Sequence, residues 1–205
     1  MDDRKTFLLE MYRQMFADIN RHMTVVWQSV SVLIGAFALF ALVEKSIVPL
    51  DVAISLIVLL CAWLIAHMLD AAYWYNRNLV IIANIERQFL QNSDKHDIQF
   101  YFVKHRTDKN KMITHLKIQS SLGIAIAVLV VLFHFATRVW ENLFITDWKF
   151  DPIKTFPYVM LAISVWYCRR LQLKGRDSYQ NFLLNSPGIP ADFSGITFGS
   201  GHPTD

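Results

Sequence analysis

Charged side chains are missing from long stretches of this chain and crowded between them. Thr24 to Val43 carries no charge. At about 1.5 Å per residue that window is long enough to cross a hydrocarbon core of about 30 Å. A second window, Ile47 to Leu69, is interrupted only by Pro49 and Asp51 near its start, where a helix accommodates both. The link between the two is a few residues, so they form an antiparallel hairpin. Ser120 to Thr137 is the third window. The fourth, Phe156 to Cys168, is shorter and spans only if Arg169, Arg170 and Lys174 reach back to the headgroups. A re-entrant or interfacial segment is the competing reading.

Two further patterns border these windows. In residues 3–23, Leu8, Tyr12, Met15, Ile19 and Met23 form a stripe at helical spacing, with Arg4, Glu10, Arg13, Gln14 and Arg21 on the remainder. This predicts an amphipathic helix leading into the first span, lying on the membrane surface or packed on another helix. Beyond Asp70 the helical pattern does not stop. Leu79, Ile82 and Phe89 share one face and Arg77, Asn84, Gln88 and Gln91 mark another. The run "LVIIA" is apolar all round, so the extension must pack on something, and the N-terminal helix is the nearest partner. Tyr73, Trp74 and Tyr75 fall at headgroup level. A third piece, Asp94 to Lys117, opens after Ser93 as an N-cap.

Composition agrees with the windows. Apolar residues make up 54% and charged residues 18%, against roughly 25% charged in soluble domains. The net charge of +3 is too small to point to nucleic acid. Four spans with both ends on one side put sixteen of the 20 Lys and Arg on that side, and cytoplasmic loops carry such an excess. The predicted fold class is therefore all-α, an integral membrane bundle of four transmembrane helices with a helical cytoplasmic layer. It divides into an amphipathic helix (1–23), a transmembrane hairpin (24–70), a cytoplasmic extension and basic segment (71–119), spans three and four (120–170) and a tail (171–205). Both termini face the cytoplasm of a bacterial inner membrane. The opening residues are too charged for a signal-peptide core.

Candidate chemistry is sparse. Thr24, Gln28, Ser31, Gly35 and Ala38 line up on the first span, and Ser120, Gly123, Ala127 and His134 on the third. Small and hydroxylated residues at these spacings let helices approach closely. The sharper reading is a polar stripe lining a water path in an oligomer, and Gln28 favours it because an amide at that depth needs a partner. His67 and Asp70 sit near the inner end of the second span, and His134 near the outer end of the third. They are candidates for gating, with snorkelling or an interhelical bond as the plainer account. Asp70 and Arg77 are two turns apart and cannot pair directly, so their partners come from elsewhere.

Enzyme readings fail. Arg106 and His115 are too far apart for the Arg-to-His spacing of HEPN ribonucleases. His96, His105 and His115 have no metal spacing, and no glycine-rich phosphate loop exists. No cofactor is expected. Cys61 and Cys168 read as small buried hydrophobes. The stretch Lys104 to Lys117 reads as a solvated basic loop, with anionic-lipid binding as the alternative. The tail from Ser186, rich in Gly, Pro and Ser, reads as a flexible end or a partner-binding strap.

The layout resembles the small multi-pass membrane effectors of bacterial anti-phage defence, of which SLATT-type proteins are a class. A charged amphipathic helix precedes the first span, a tight hairpin joins spans one and two, and the second span runs on as "YWYNRNLVIIANIERQF". The likeness covers about residues 1–115, and the third and fourth spans depart from the two-span pattern. It implies a homo-oligomer that forms a pore or depolarises the membrane when a cytoplasmic partner or signal arrives, and it transfers no individual residue. An anchor or scaffold that recruits a soluble protein through its cytoplasmic helices is the second expectation.

Overall fold

The computed structural model describes residues 3–91, 93–94, 98, 107–140 and 151–188. Among them the secondary structure is entirely helical. Helix α1 runs unbroken from Asp3 to Glu44, so the amphipathic segment and the first apolar window are one rod. Helix α2 spans Leu50–Glu86, α3 spans Thr114–His134 and continues through a π-helical turn at Phe135–Val139, and α4 spans Pro152–Leu184. Three of these, α1, α2 and α3 with its π turn, are long and apolar enough to cross a membrane. Helix α4 does not reach the same apolar standard, because Arg169, Arg170, Lys174 and Arg176 crowd its second half.

The boundaries follow local chemistry. Helix α1 ends in a Schellman motif: Ile47 N–H bonds Leu42 carbonyl (3.0 Å) and Ser46 N–H bonds Val43 carbonyl (2.9 Å). Ser46 takes the left-handed position, at φ 56°. That reversal turns the chain directly into α2, whose entry residue Pro49 is extended. Asp151 caps α4 through Oδ1, which accepts from Ile153 N–H (3.0 Å), with Pro152 at the first helical position. Helix α3 starts at Thr114 rather than Ser120, because Leu116 and Gln119 are buried and draw the preceding basic segment into the helix. Conversely, α2 stops at Glu86, so Phe89 lies in the following turn and is exposed instead of extending the Leu79–Ile82 face.

Helix α2 is the centre. It packs along α1, α3 and α4, and no other pair of helices comes together as extensively among the described residues. Its neighbours α1 and α3 run antiparallel to it. Helix α4 runs parallel, with Cys168 Sγ near Ala62 carbonyl (3.6 Å) and Arg77 beside the Phe182 ring. The core gathers Ile54, Ile57, Val58, Cys61, Leu64 and Met68 of α2 with Val26 and Ala36 of α1 and Leu116, Ala127 and Val130 of α3. Gly123 allows the closest approach: a Cβ there would meet Leu64 Cδ2 at 3.3 Å and Ile65 Cγ1 at 3.5 Å.

Past Asp70, three asparagines of α2 each hold a different segment. Asn76 donates to Asn110 Oδ1 and Lys111 carbonyl (both 2.8 Å). Asn78 donates to Asp18 Oδ2 of α1 (3.1 Å), and Asn84 to Ser186 Oγ beyond α4 (3.1 Å). Tyr179 of α4 adds a bond to Thr107 carbonyl (3.0 Å). The N-terminal half of α1 lies along the extension, with His22 stacked on Trp74 at 5.7 Å and Tyr12 Oη donating to Glu86 Oε1 at 3.3 Å. Residues 95–97 and 99–106 of the expected third cytoplasmic piece, among them His96 and His105, and the tail after residue 188 lie outside the described residues.

Glu86 makes this layer sensitive to pH. Its Oε2 is buried with no partner. Burial pushes the carboxyl above its ordinary value near 4.5, and the Tyr12 hydrogen bond only partly offsets this. Burial, with the nearby carboxylate, also raises the Tyr12 phenol. The folded chain therefore holds the Glu86 proton more tightly than the unfolded chain. That contribution to stability is complete below the unfolded value and is lost as pH rises through the raised one. Glu86→Gln cannot titrate, so thermal unfolding of the detergent-purified proteins should show the parent losing ground to the variant as pH rises from about 4 to 7. Superimposable pH profiles would contradict the assignment.

Candidate functional site

The most concentrated polar chemistry lies at the end of the bundle that carries the α1–α2 turn. Asp51, in the first turn of α2, is 4% exposed, and His134, at the end of α3, is fully buried. His134 Nε2 stands 2.9 Å from Asp51 Oδ1, and Nδ1 stands 3.0 Å from Tyr158 Oη of α4. Arg138, one turn beyond His134 in the π-helical segment, reaches Asp51 Oδ2 at 3.6 Å. A neutral imidazole with its proton on Nε2 satisfies both contacts: it donates to the carboxylate and accepts from the phenol. The carboxylate is then balanced by the guanidinium and by the positive end of the α2 dipole.

The chemistry of this cluster is that of a clamp. Both imidazole nitrogens are engaged inside the chain, and one side chain from each of α2, α3 and α4 is fixed in register. The sequence carried a signal for it. Asp51 is the only Asp, Glu, Lys or Arg between Lys45 and Asp70, and a solitary carboxylate among apolar residues calls for a partner. Reading it as a helix-start residue overlooked its role, and neither Tyr158 nor Arg138 was linked to it.

The two predicted stripes do not form one surface. On α3, Ser120, Gly123 and His134 are buried, and Ser120 Oγ contacts Met112 Sδ at 3.8 Å. On α1, Gln28, Ser31 and Gly35 are exposed, and a Cβ on Gly35 would meet nothing within 4 Å. The opposite face of α1, with Val26, Ser29 and Ala36, is buried. His67 packs edge-on to Trp63 at 4.4 Å, and both His67 and Asp70 line a groove of about 460 Å³ between α2 and α4. Arg77 finds aromatic faces in its own chain, over Trp74 at 5.0 Å and Phe182 at 5.6 Å. Phe182 of α4 is thus a partner that Arg77 finds elsewhere in the chain. Cys61 is buried, Cys168 half-buried, and neither forms a disulfide. No known protein family matches the chain, and no curated protein or solved structure matches it either.

The clamp predicts an ordered mutational series, read by denaturant titration in detergent. His134→Ala strips the buried Asp51 carboxylate of its closest donor and should cost about 3–5 kcal/mol, whereas Asp51→Ala leaves a neutral imidazole N–H unpaired and should cost about 1–3 kcal/mol. Tyr158→Phe removes one hydrogen bond and should cost about 1 kcal/mol. Arg138→Gln, at a residue 43% exposed on its side chain, should cost less than about 1 kcal/mol. Equal losses across the four variants would mean that the residues do not act as this clamp.

Proposed function

We propose that this chain is a four-span protein of the bacterial inner membrane that assembles with copies of itself and permeabilises the membrane when a cytoplasmic signal arrives, as an effector of anti-phage defence. The observation that carries the reading is the outward face of α1. Thr24, Gln28, Ser31, Gly35 and Ala38 are all exposed, although the helix buries its other side on α2. An amide facing hydrocarbon is costly, and a primary amide both donates and accepts. A second copy of the same face therefore supplies what Gln28 lacks, and Gly35 leaves room for close approach.

The orientation rests on charge: both ends and the basic segment lie on the cation-rich side. Helix α4 is the fourth span. Its parallel course beside α2 and the position of Arg169, Arg170 and Lys174 towards the cation-rich end support this, with their stems along the helix and their charges at the headgroups. The clamp of Asp51, His134 and Tyr158 then lies at the outer surface.

A second reading is a membrane scaffold. Phe7 is 66% exposed and Leu184 is 82% exposed, and both lie in the layer beyond the apolar windows, where a soluble partner can cover them.

Expression with a voltage-sensitive dye and a leakage probe separates the two. Under activating conditions the parent should depolarise cells. Gly35→Leu and Gln28→Leu should abolish leakage and shift the detergent-solubilised particle to a smaller assembly, while their thermal stability as single chains stays unchanged. Normal membrane potential in every condition, with a soluble protein co-purifying and lost on Phe7→Glu or Leu184→Glu, would establish the scaffold instead.

A further inference from the structure

The helices α3 and α4 touch at one end and part towards the other. His134 and Tyr158 join them at the clamp. Beyond it a groove of about 470 Å³ opens between them, floored by α2 residues such as Cys61, Ala62 and Ile65. Its walls are almost wholly apolar, and its rim residues Ile124, Val128 and Val165 are exposed. At the far end the groove runs into a second hollow of about 260 Å³, with Leu69, Met112 and Gln172 lining both. The character changes there. Lys111, Lys117 and Arg176 line this mouth, and Arg169, which donates to Gln172 Oε1 at 3.1 Å, stands at the junction. No acidic residue lines either part.

We infer that this groove is a binding site for an anionic phospholipid of the cytoplasmic leaflet. One acyl chain lies in the apolar trough between α3 and α4, and the phosphate sits among Lys111, Lys117, Arg169 and Arg176. Three features fit that ligand together. The trough is open along its side to the bilayer, as an acyl chain requires. Its volume is within the range of about 300–1,000 Å³ typical of small-ligand sites. Cations are concentrated at the end where headgroups lie, and basic pockets between spans on the cytoplasmic side select anionic headgroups. A soluble phosphate would use the mouth and leave the trough empty. A second copy of this chain would have to present an acidic, narrow ridge, and no exposed helix face described above has that form.

The inference rests on the membrane placement proposed above, and the two fail differently. The chain is extracted from membranes in mild detergent, and retained lipid is counted by native mass spectrometry during titration with phosphatidylglycerol or phosphatidylcholine. Phosphatidylglycerol should be retained well above phosphatidylcholine. Lys117→Ala and Arg176→Ala should each weaken retention about fivefold, which corresponds to about 1 kcal/mol per cation. Ile124→Trp, which fills the trough from its exposed rim, should weaken it as much without altering the mouth. Lys174→Ala, on the same helix but outside the groove, should leave retention unchanged. Equal retention of the two lipids, an equal loss with Lys174→Ala, or full competition by glycerol phosphate would each overturn the lipid site. A chain that fractionates in solution without detergent would instead remove the membrane placement itself.

Discussion

The burial of Asp51 constrains everything around it. A carboxylate that is almost fully enclosed costs several kcal/mol unless charge and hydrogen bonds meet it. Here the imidazole of His134 and the guanidinium of Arg138 do so, both from α3, while Tyr158 of α4 completes the imidazole. Hydrophobic contact alone lets apolar helices slide, since one row of Leu, Ile and Val resembles the next. A directional polar contact does not. Fixing α2, α3 and α4 at this one level sets which residues face each other further down, including the meeting of Gly123 with Leu64 and Ile65.

Much of the helical layout was readable from residue order, for a simple reason. Windows without charge and stripes at helical spacing are local properties. The continuation of α2 past Asp70 follows from the apolar burst at residues 79–83, and the residues of that burst are largely buried. The pairing was not readable. Asp51 and His134 are 83 residues apart, and nothing local distinguishes His134, which is buried in a bond, from His67, which packs against a ring. The polar stripes show the same limit. Periodicity places Gly35 and Gly123 on helix faces with equal confidence, yet only Gly123 meets a neighbour, because which face turns inward is decided by the other helices. Helix α4 was hardest, since four cations dilute its apolar signal although it runs beside α2 for much of its length.

Asparagine and other amides act repeatedly as local docking points. Asn76, Asn78 and Asn84 all lie on α2, yet they secure the segment before α3, the N-terminal half of α1 and Ser186, two residues past α4. The division of labour along α2 is physical. Where the surroundings are apolar, one charged clamp holds the register. Beyond Asp70, where apolar surface is less continuous, several amide hydrogen bonds replace it, each worth about 1 kcal/mol, or somewhat more where Asn78 meets the Asp18 carboxylate. The remaining buried groups without partners, such as the Gln119 amide and Ser164 Oγ, mark where this economy is incomplete.

Helix α1 has no break between Asp3 and Glu44. It is fastened at one tip by the tight Schellman reversal and along its length, among the described residues, chiefly by α2. The segment that meets Glu86 and Asn78 and the segment that carries Gln28 and Gly35 are thus joined by continuous helix. A displacement at the amphipathic end thereby reaches, without any intervening joint, the exposed face of the apolar half.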